Sequence, residues 1–296
     1  MAKELDAAPP ASPQVATWTD MVPPHAYFVG SAIFHYLGPS FAVLLFSRVE
    51  VLGVAWLRIA SAALVFAIWR RPWNRFLSLD RRSQALIVAL GAVFALMNAC
   101  FYIAIDRLPL ATVAAIEFIG PIALAVIGAR VPRNLAAAGA AAGGVYLLTH
   151  VRVLGEPVGI AFAVANAVLF TVYILLAHRV ARRSALGGIN GLAAAMMFAF
   201  VFVSPIGWRG AFQAFNDPLA LAAGAGVGIS SSVIPYVFDQ LAMARLPRAT
   251  YAVFVALLPA TATGIGTIVL RQIPSPVDLA GIALVMVGVA LHRAGE

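Results

Sequence analysis

"RLPLATVAAIEFIGP" (107–121) and "RLPRATYAVFVALLP" (245–259) are two versions of one segment, and their likeness decides the fold. Arg107, Leu108, Pro109, Ala111, Thr112, Ala114 and Pro121 recur as Arg245, Leu246, Pro247, Ala249, Thr250, Ala252 and Pro259. Seven identities in fifteen positions exceed what shared apolar composition gives. Further on, Pro132, Asn134 and Gly144 align with Pro276, Asp278 and Gly288 after a six-residue insertion in the second copy. The chain reads as a duplicated unit.

What is duplicated is apolar. The 296 residues are 62% hydrophobic and 11% charged, with a mean hydropathy of +0.93. Soluble domains carry about 25% charged residues, and runs of about 20 apolar residues fit a bilayer. Such runs occur at 27–46, 51–69, 84–105, 108–129, 134–151, 157–178, 188–207, 218–241, 247–270 and 276–292. Helices are the spanning form expected, because a lipid-exposed backbone must close its own hydrogen bonds. Small-residue stretches, AAAGAAAGG (136–144) and AAGAGVGISSS (222–232), let helices approach closely. The first 26 residues, with Pro9, Pro10, Pro13, Pro23 and Pro24 among alanines, read as a disordered cytoplasmic tail and not a signal peptide.

The duplication sets five spans in each half, at 27–151 and 152–296. Five is odd, so the second half enters from the opposite side. The expected fold is therefore an all-α integral membrane protein of ten transmembrane helices, arranged as two inverted five-helix repeats around a central cavity. Inverted repeats recur in alternating-access carriers, with the substrate near the midplane. Arginine placement orients the chain. With the N-terminus inside, fourteen of the twenty Lys and Arg lie on the cytoplasmic side. Arg48, Arg107, Arg152, Arg209 and Arg271 face the other side, and Arg58 lies within the second span. Both termini are then cytoplasmic. The net charge of +8 is a topology signal here, with no nucleic acid implied. Segment 70–84, RRPWNRFLSLDRRSQ, reads as a cytoplasmic loop of aromatic and basic lipid-surface character. Cys100 is the one cysteine, so no intrachain disulfide forms.

Glu117 lies nine residues into its span, roughly 13 Å deep at about 1.5 Å per residue. A carboxylate there costs about 2.5–3.5 kcal/mol on insertion scales, so it should face protein or water. Pro121 removes the N–H that the Glu117 carbonyl would accept from. A carboxylate and a freed carbonyl together suit an ammonium group or a proton; the bland alternative is a neutral acid bonded to a neighbouring helix. His35 stands four residues before Pro39 in the first span, where a satisfied interhelical donor is the competing reading. Pro259 frees the carbonyl of Val255, where the first half has its glutamate. Pro39, Pro121 and Pro259 are the candidate helix breaks or hinges.

Asn98 and Tyr102 share one face of the third span, and Tyr236 and Gln240 take the equivalent places in the repeat. Asn166, Phe170 and Tyr173 are similarly spaced in the sixth span. These residues line a cavity or glue helices together. Asp239 is expected to pair with Arg245 or Arg248, Arg58 to be a structural or snorkelling cation, and Ser230–Ser232 to serve packing.

With these residues in view, the chain resembles the drug/metabolite transporter superfamily, in its EamA-type branch of ten-helix amino acid exporters. The resemblance rests on Glu117-Phe118 with Gly120-Pro121, on Pro235-Tyr236 followed by Arg245-Leu246-Pro247, on Arg58, and on Phe170 and Tyr173. It implies an inner-membrane basket of helices around a central cavity, and export as the direction of flux. Two departures stand out. Leu257 and Leu258 precede Pro259 where many relatives have glutamate, and Arg271-Gln272 follows that helix where many have an acid.

The expected function is export of amino acids, aromatic or neutral such as threonine and methionine, by alternating access. The substrate-binding set is Glu117, Phe118, His35, Asn98, Tyr102, Asn166, Phe170 and Tyr236. The alternative is a proton-coupled exporter of cationic drugs or other metabolites. An enzyme is not expected: there is no HExxH, no paired DxxxD run at a membrane surface and no serine–histidine pair. The partners expected are an amino acid substrate and membrane lipid, with a monomeric chain and no cofactor or metal.

Overall fold

The computed structural model describes residues 22–128, 131–149, 155–183, 189–243 and 257–291. These residues are helical with no strand among them. The helices are α1 (Pro24–Leu45), α2 (Val51–Arg70), the short α3 (Trp73–Leu77), α4 (Arg81–Arg107), α5 (Leu110–Glu117), α6 (Ile119–Gly128) and α7 (Pro132–Thr149). They continue with α8 (Pro157–Arg183), α9 (Ile189–Phe212), α10 (Pro218–Gly228), α11 (Ile234–Met243), α12 (Leu258–Leu270) and α13 (Pro276–Leu291). A π-turn, Ile229–Val233, joins α10 to α11. Among the described residues, six helices are long and apolar enough to cross a membrane. The N-terminal tail up to residue 21, Arg245, Arg248 and the start of the 247–270 run lie outside the described residues.

The helix boundaries follow local chemistry. Pro24 opens α1 inside its first turn, three residues before the apolar run begins, because proline's missing N–H is one the first turn leaves unbonded anyway. Asp80 caps α4, accepting from the N–H of Arg82 and of Ser83. Asp217 caps α10 in the same way through Leu219 and Ala220, with Pro218 next. α2 and α12 end on Arg71 (φ 45°) and Arg271 (φ 55°), left-handed caps usually given to glycine.

The fourth apolar run is not one helix. It breaks at Phe118, whose N–H reaches Ala115 O at 3.3 Å, and resumes at Ile119. Pro121 supplies the cause, since it has no N–H for the Glu117 carbonyl. Pro39, by contrast, sits inside an uninterrupted α1, where the Ser40 hydroxyl donates to Tyr36 O at 2.9 Å. Pro259 lies in the first turn of α12 as described, and Val255 lies outside the described residues.

Helices pair chiefly between the halves of the chain. α7 packs along α13, α2 along α9, and α5 against α12. α1 with α10 and α11 mirrors α8 with α4, α2 with α10 mirrors α9 with α4, and α1 with α12 mirrors α8 with α5 and α6.

Backbones touch where side chains are smallest. A Cβ on Gly144 of α7 would stand 2.5 Å from the carbonyl oxygen of Gly281 on α13, whereas one on Gly139 would meet nothing within 4 Å. Small residues are what allow helices to associate in lipid. Gly144→Ala is therefore expected to destabilise the detergent-solubilised protein by about 1–3 kcal/mol through overpacking, while Gly139→Ala leaves the thermal midpoint unchanged or raised.

At the end opposite the expected cytoplasmic face, Arg48 bonds Asp217 at 2.9 Å with both side chains largely in water. The Ala220 N–H, then Arg48, hold the Asp217 carboxyl below the usual range. A lowered acid stabilises the fold above its unfolded pKa and loses that contribution as pH falls through the folded value. Asp217→Asn should thus lower the thermal midpoint at neutral pH, and the difference from the parent should close on acidification.

Candidate functional site

The site is assembled from five elements, each bringing one or two polar side chains into an apolar interior. α5 ends on Glu117, 8% exposed. Its side chain faces Asn166 of α8, which is fully buried. Neither amide atom of Asn166 completes a hydrogen bond. The two groups are adjacent without being closed onto each other. That is unusual, because a buried amide normally has partners.

α1 adds Tyr36, buried, and His35, half-buried. Their rings meet edge to face at 5.3 Å. The Glu117 carboxylate acts electrostatically on Tyr36, and Arg58 acts on both His35 and Glu117. Arg58 comes from α2 and is only 5% exposed. Its Nε donates to Ser232 Oγ at 3.0 Å and its Nη2 to the Ser231 carbonyl at 3.2 Å. Both acceptors belong to the π-turn, the wider coil that recurs at functional positions. The Ser230–Ser232 run, expected to be packing filler, thus holds a buried cation. No direct ion pair joins Arg58 to Glu117.

From α4, Tyr102 lies with its ring 5.5 Å from the Arg58 guanidinium carbon, a cation–π distance. Its hydroxyl is buried within reach of Arg58 and Ser231 but completes no hydrogen bond of good geometry. Asn98, one turn earlier, is buried and bonds back to Phe94 O at 2.8 Å. Phe94 in turn touches Tyr173 of α8 and Tyr236 of α11, each at 5.9 Å between ring centroids. Phe170 stacks on Tyr173 at 6.2 Å. An aromatic cluster therefore adjoins the charged groups, with Asp239 beyond it. The Ser31 hydroxyl donates to Asp239 Oδ1 at 2.6 Å, while Arg245 and Arg248, the partners expected for this acid, lie outside the described residues.

Of the expected set, Glu117, His35 and Asn166 come together around Arg58 with Tyr102. Asn98, Phe170 and Tyr236 belong to the adjoining aromatic cluster or its edge. Phe118 does not join them. It packs with Ile122, Ala137, Ala141, Leu148 and Ile282, against α7 and α13. Consecutive residues of a helix do not share a face, so Glu117 and Phe118 point to different neighbours. Sequence reasoning placed Arg58 and the serines in supporting roles, and left out Tyr36 and Phe94. A buried arginine opposite a serine run in the other half was the available signal for the first pair; apolar periodicity gave none for Tyr36 and Phe94.

A cavity of about 470 Å³ lies between α6 and α7. Ile119, Ile122, Ala123, Ala138, Ala141, Ala142, Val145 and Tyr146 line it, and none is charged. No cluster of potential metal ligands occurs among the described residues.

With this geometry in place, the likeness to known proteins can be stated. The threonine/homoserine exporter RhtA of Escherichia coli (strain K12) is 30% identical over 259 residues, covering 84% of each chain. That of Salmonella typhimurium (strain LT2) is 30% identical over 244 residues, covering 79% of each. A solved crystal structure at 19% identity, spanning 90% of this chain and 96% of its own, superposes with a TM-score of 0.56, a likeness of fold alone. Residues 157–293 match the profile of the EamA-like transporter family. The chain is a multi-pass membrane protein and belongs to the EamA-like transporters of the drug/metabolite transporter superfamily.

Proposed function

We propose that the protein exports amino acids, threonine-like neutral ones among them, across the inner membrane by alternating access. The observation that carries this reading is the unclosed pair of Glu117 and Asn166 in the membrane interior. An acid and an amide that face each other without a well-aligned hydrogen bond leave donor and acceptor capacity for a third group. An ammonium supplies donors for the carboxylate and for the Asn166 carbonyl, and the carbonyl that Pro121 frees lies on the same residue as the carboxylate. Both exporters at 30% identity are threonine/homoserine exporters by name, which supports the substrate class and the outward direction.

The cross-half pairing of helices is what two inverted five-helix repeats at 27–151 and 152–296 would give, and it supports rocking of one half against the other. The break at Phe118 and the π-turn at 229–233 are the places where such a motion would find the fewest helical hydrogen bonds to break. Arginine placement supports cytoplasmic termini. Export of cationic drugs is the weaker alternative, because Arg58 places a second, positive charge beside Glu117. A substrate with positive charge alone would meet repulsion there.

Counterflow in proteoliposomes loaded with unlabelled threonine tests the reading. Glu117→Gln is expected to lower labelled threonine exchange about tenfold to hundredfold, from the loss of a charge-assisted hydrogen bond, with folding kept; unchanged exchange removes the carboxylate from the site. Asn166→Leu separates binding from packing. The parent amide is buried without a well-aligned hydrogen bond, so its replacement should leave the substrate-free thermal midpoint equal or higher while exchange falls. A lower midpoint with normal exchange assigns Asn166 to packing.

A further inference from the structure

Arg58 has acceptors but no counter-charge. Its two recorded partners, a serine hydroxyl and a backbone carbonyl, are neutral, and they occupy two of the five N–H groups that a guanidinium carries. Its guanidinium carbon lies 5.5 Å from the Tyr102 ring centroid, and three N–H groups remain for other acceptors, with the Tyr102 hydroxyl within reach. Three buried polar atoms in this neighbourhood lack a hydrogen bond of good geometry: the Tyr102 hydroxyl, within reach of Arg58 and Ser231, and the amide nitrogen and oxygen of Asn166, within reach of Glu117. The chamber therefore has a positive end and a negative end, each with one of these neutral groups beside it, and the two charges do not close on each other.

We propose that Arg58 is the carboxylate-binding half of the site, so that the chamber takes a zwitterion with its ammonium toward Glu117 and its carboxylate toward Arg58 and the Tyr102 hydroxyl. This rests on the reading of the chamber as an amino acid site and goes beyond it by assigning the second charge. A planar fork accepts a carboxylate through two parallel hydrogen bonds, and the serine π-turn holds the guanidinium without neutralising it. A zwitterion answers both buried charges at once and adds no net charge to the hydrocarbon interior. An amine answers Glu117 alone and leaves Arg58 facing it. The chamber thus selects for the pair of groups that all α-amino acids share, and the aromatic cluster of Phe94, Tyr173 and Tyr236 meets whatever side chain they carry.

The test is competition in the same counterflow assay with the full chain. Unlabelled threonine, threonine amide and the 2-hydroxy acid of the same carbon skeleton compete against labelled threonine. In the parent protein, threonine is expected to compete about tenfold to hundredfold better than its amide, as for loss of one charged partner, and the hydroxy acid is expected to compete weakly. Arg58→Gln should bring threonine and its amide close to parity. Arg58→Lys, which keeps the charge and loses the fork, should retain part of the preference. Equal competition by threonine and its amide in the parent overturns the proposal without any variant being needed. So does an Arg58→Gln protein that is monodisperse and keeps the full preference. Failure of every amino acid to exchange in the parent would instead overturn the amino acid reading itself, and this assignment with it.

Discussion

Arg58 is a permanent cation on a helix in hydrocarbon, and lipid offers nothing to solvate it. A charged side chain at such depth is costly unless protein groups answer it. The answer comes from the opposite half of the chain, where the turn at 229–233 widens and presents a carbonyl and a hydroxyl to the guanidinium. This one requirement brings α2 against the α10–α11 junction and fixes where the third and eighth apolar runs stand relative to it. The Tyr102 ring then lies against the guanidinium, and α1 closes over the chamber with His35 and Tyr36. The polar interior is organised around a charge that could not be left alone.

The rest of the fold obeys the same economy of polar groups. Helices start where Asp80 and Asp217 satisfy open N–H groups, and they meet where glycines remove side chains from the interface. The breaks lie largely at protein-facing positions: Phe118, Ser231 and Ser232 are buried, while Ile229 at the start of the π-turn is exposed. Irregular backbone at membrane depth is tolerated where protein surrounds it. Here both irregular segments border the chamber, one presenting Glu117 and the other holding Arg58.

Much of this was legible in the sequence. Apolar runs located the helices, because hydrocarbon enforces length and composition on each span alone. The repeat at 107–121 and 245–259 announced duplication, since identities among arginines, prolines and threonines are not produced by hydropathy. Glu117 stood out as a candidate because a lone acid in an apolar run has few uses. Phe118 was not, since adjacency in sequence says nothing about sharing a face. Arg58 was visible as a buried cation, but its partners were not. A snorkelling or structural arginine and a cavity arginine look alike until their partners are known, and its partners lie more than 170 residues away along the chain.

The sequence by itself determined that the chain lives in a membrane, where most of its apolar helices lie, and that one acid stands four residues before a proline that breaks a helix. These follow from local chemistry: hydrophobic length and a proline's missing N–H. Only the tertiary structure decided which polar residues share a chamber, that Glu117 and Arg58 stand near each other without pairing, and that Asn166 and Tyr102 keep atoms without a well-aligned hydrogen bond. Those are relations between helices far apart in sequence. They are set by how backbones pack across the two halves, and no single helix carries that information.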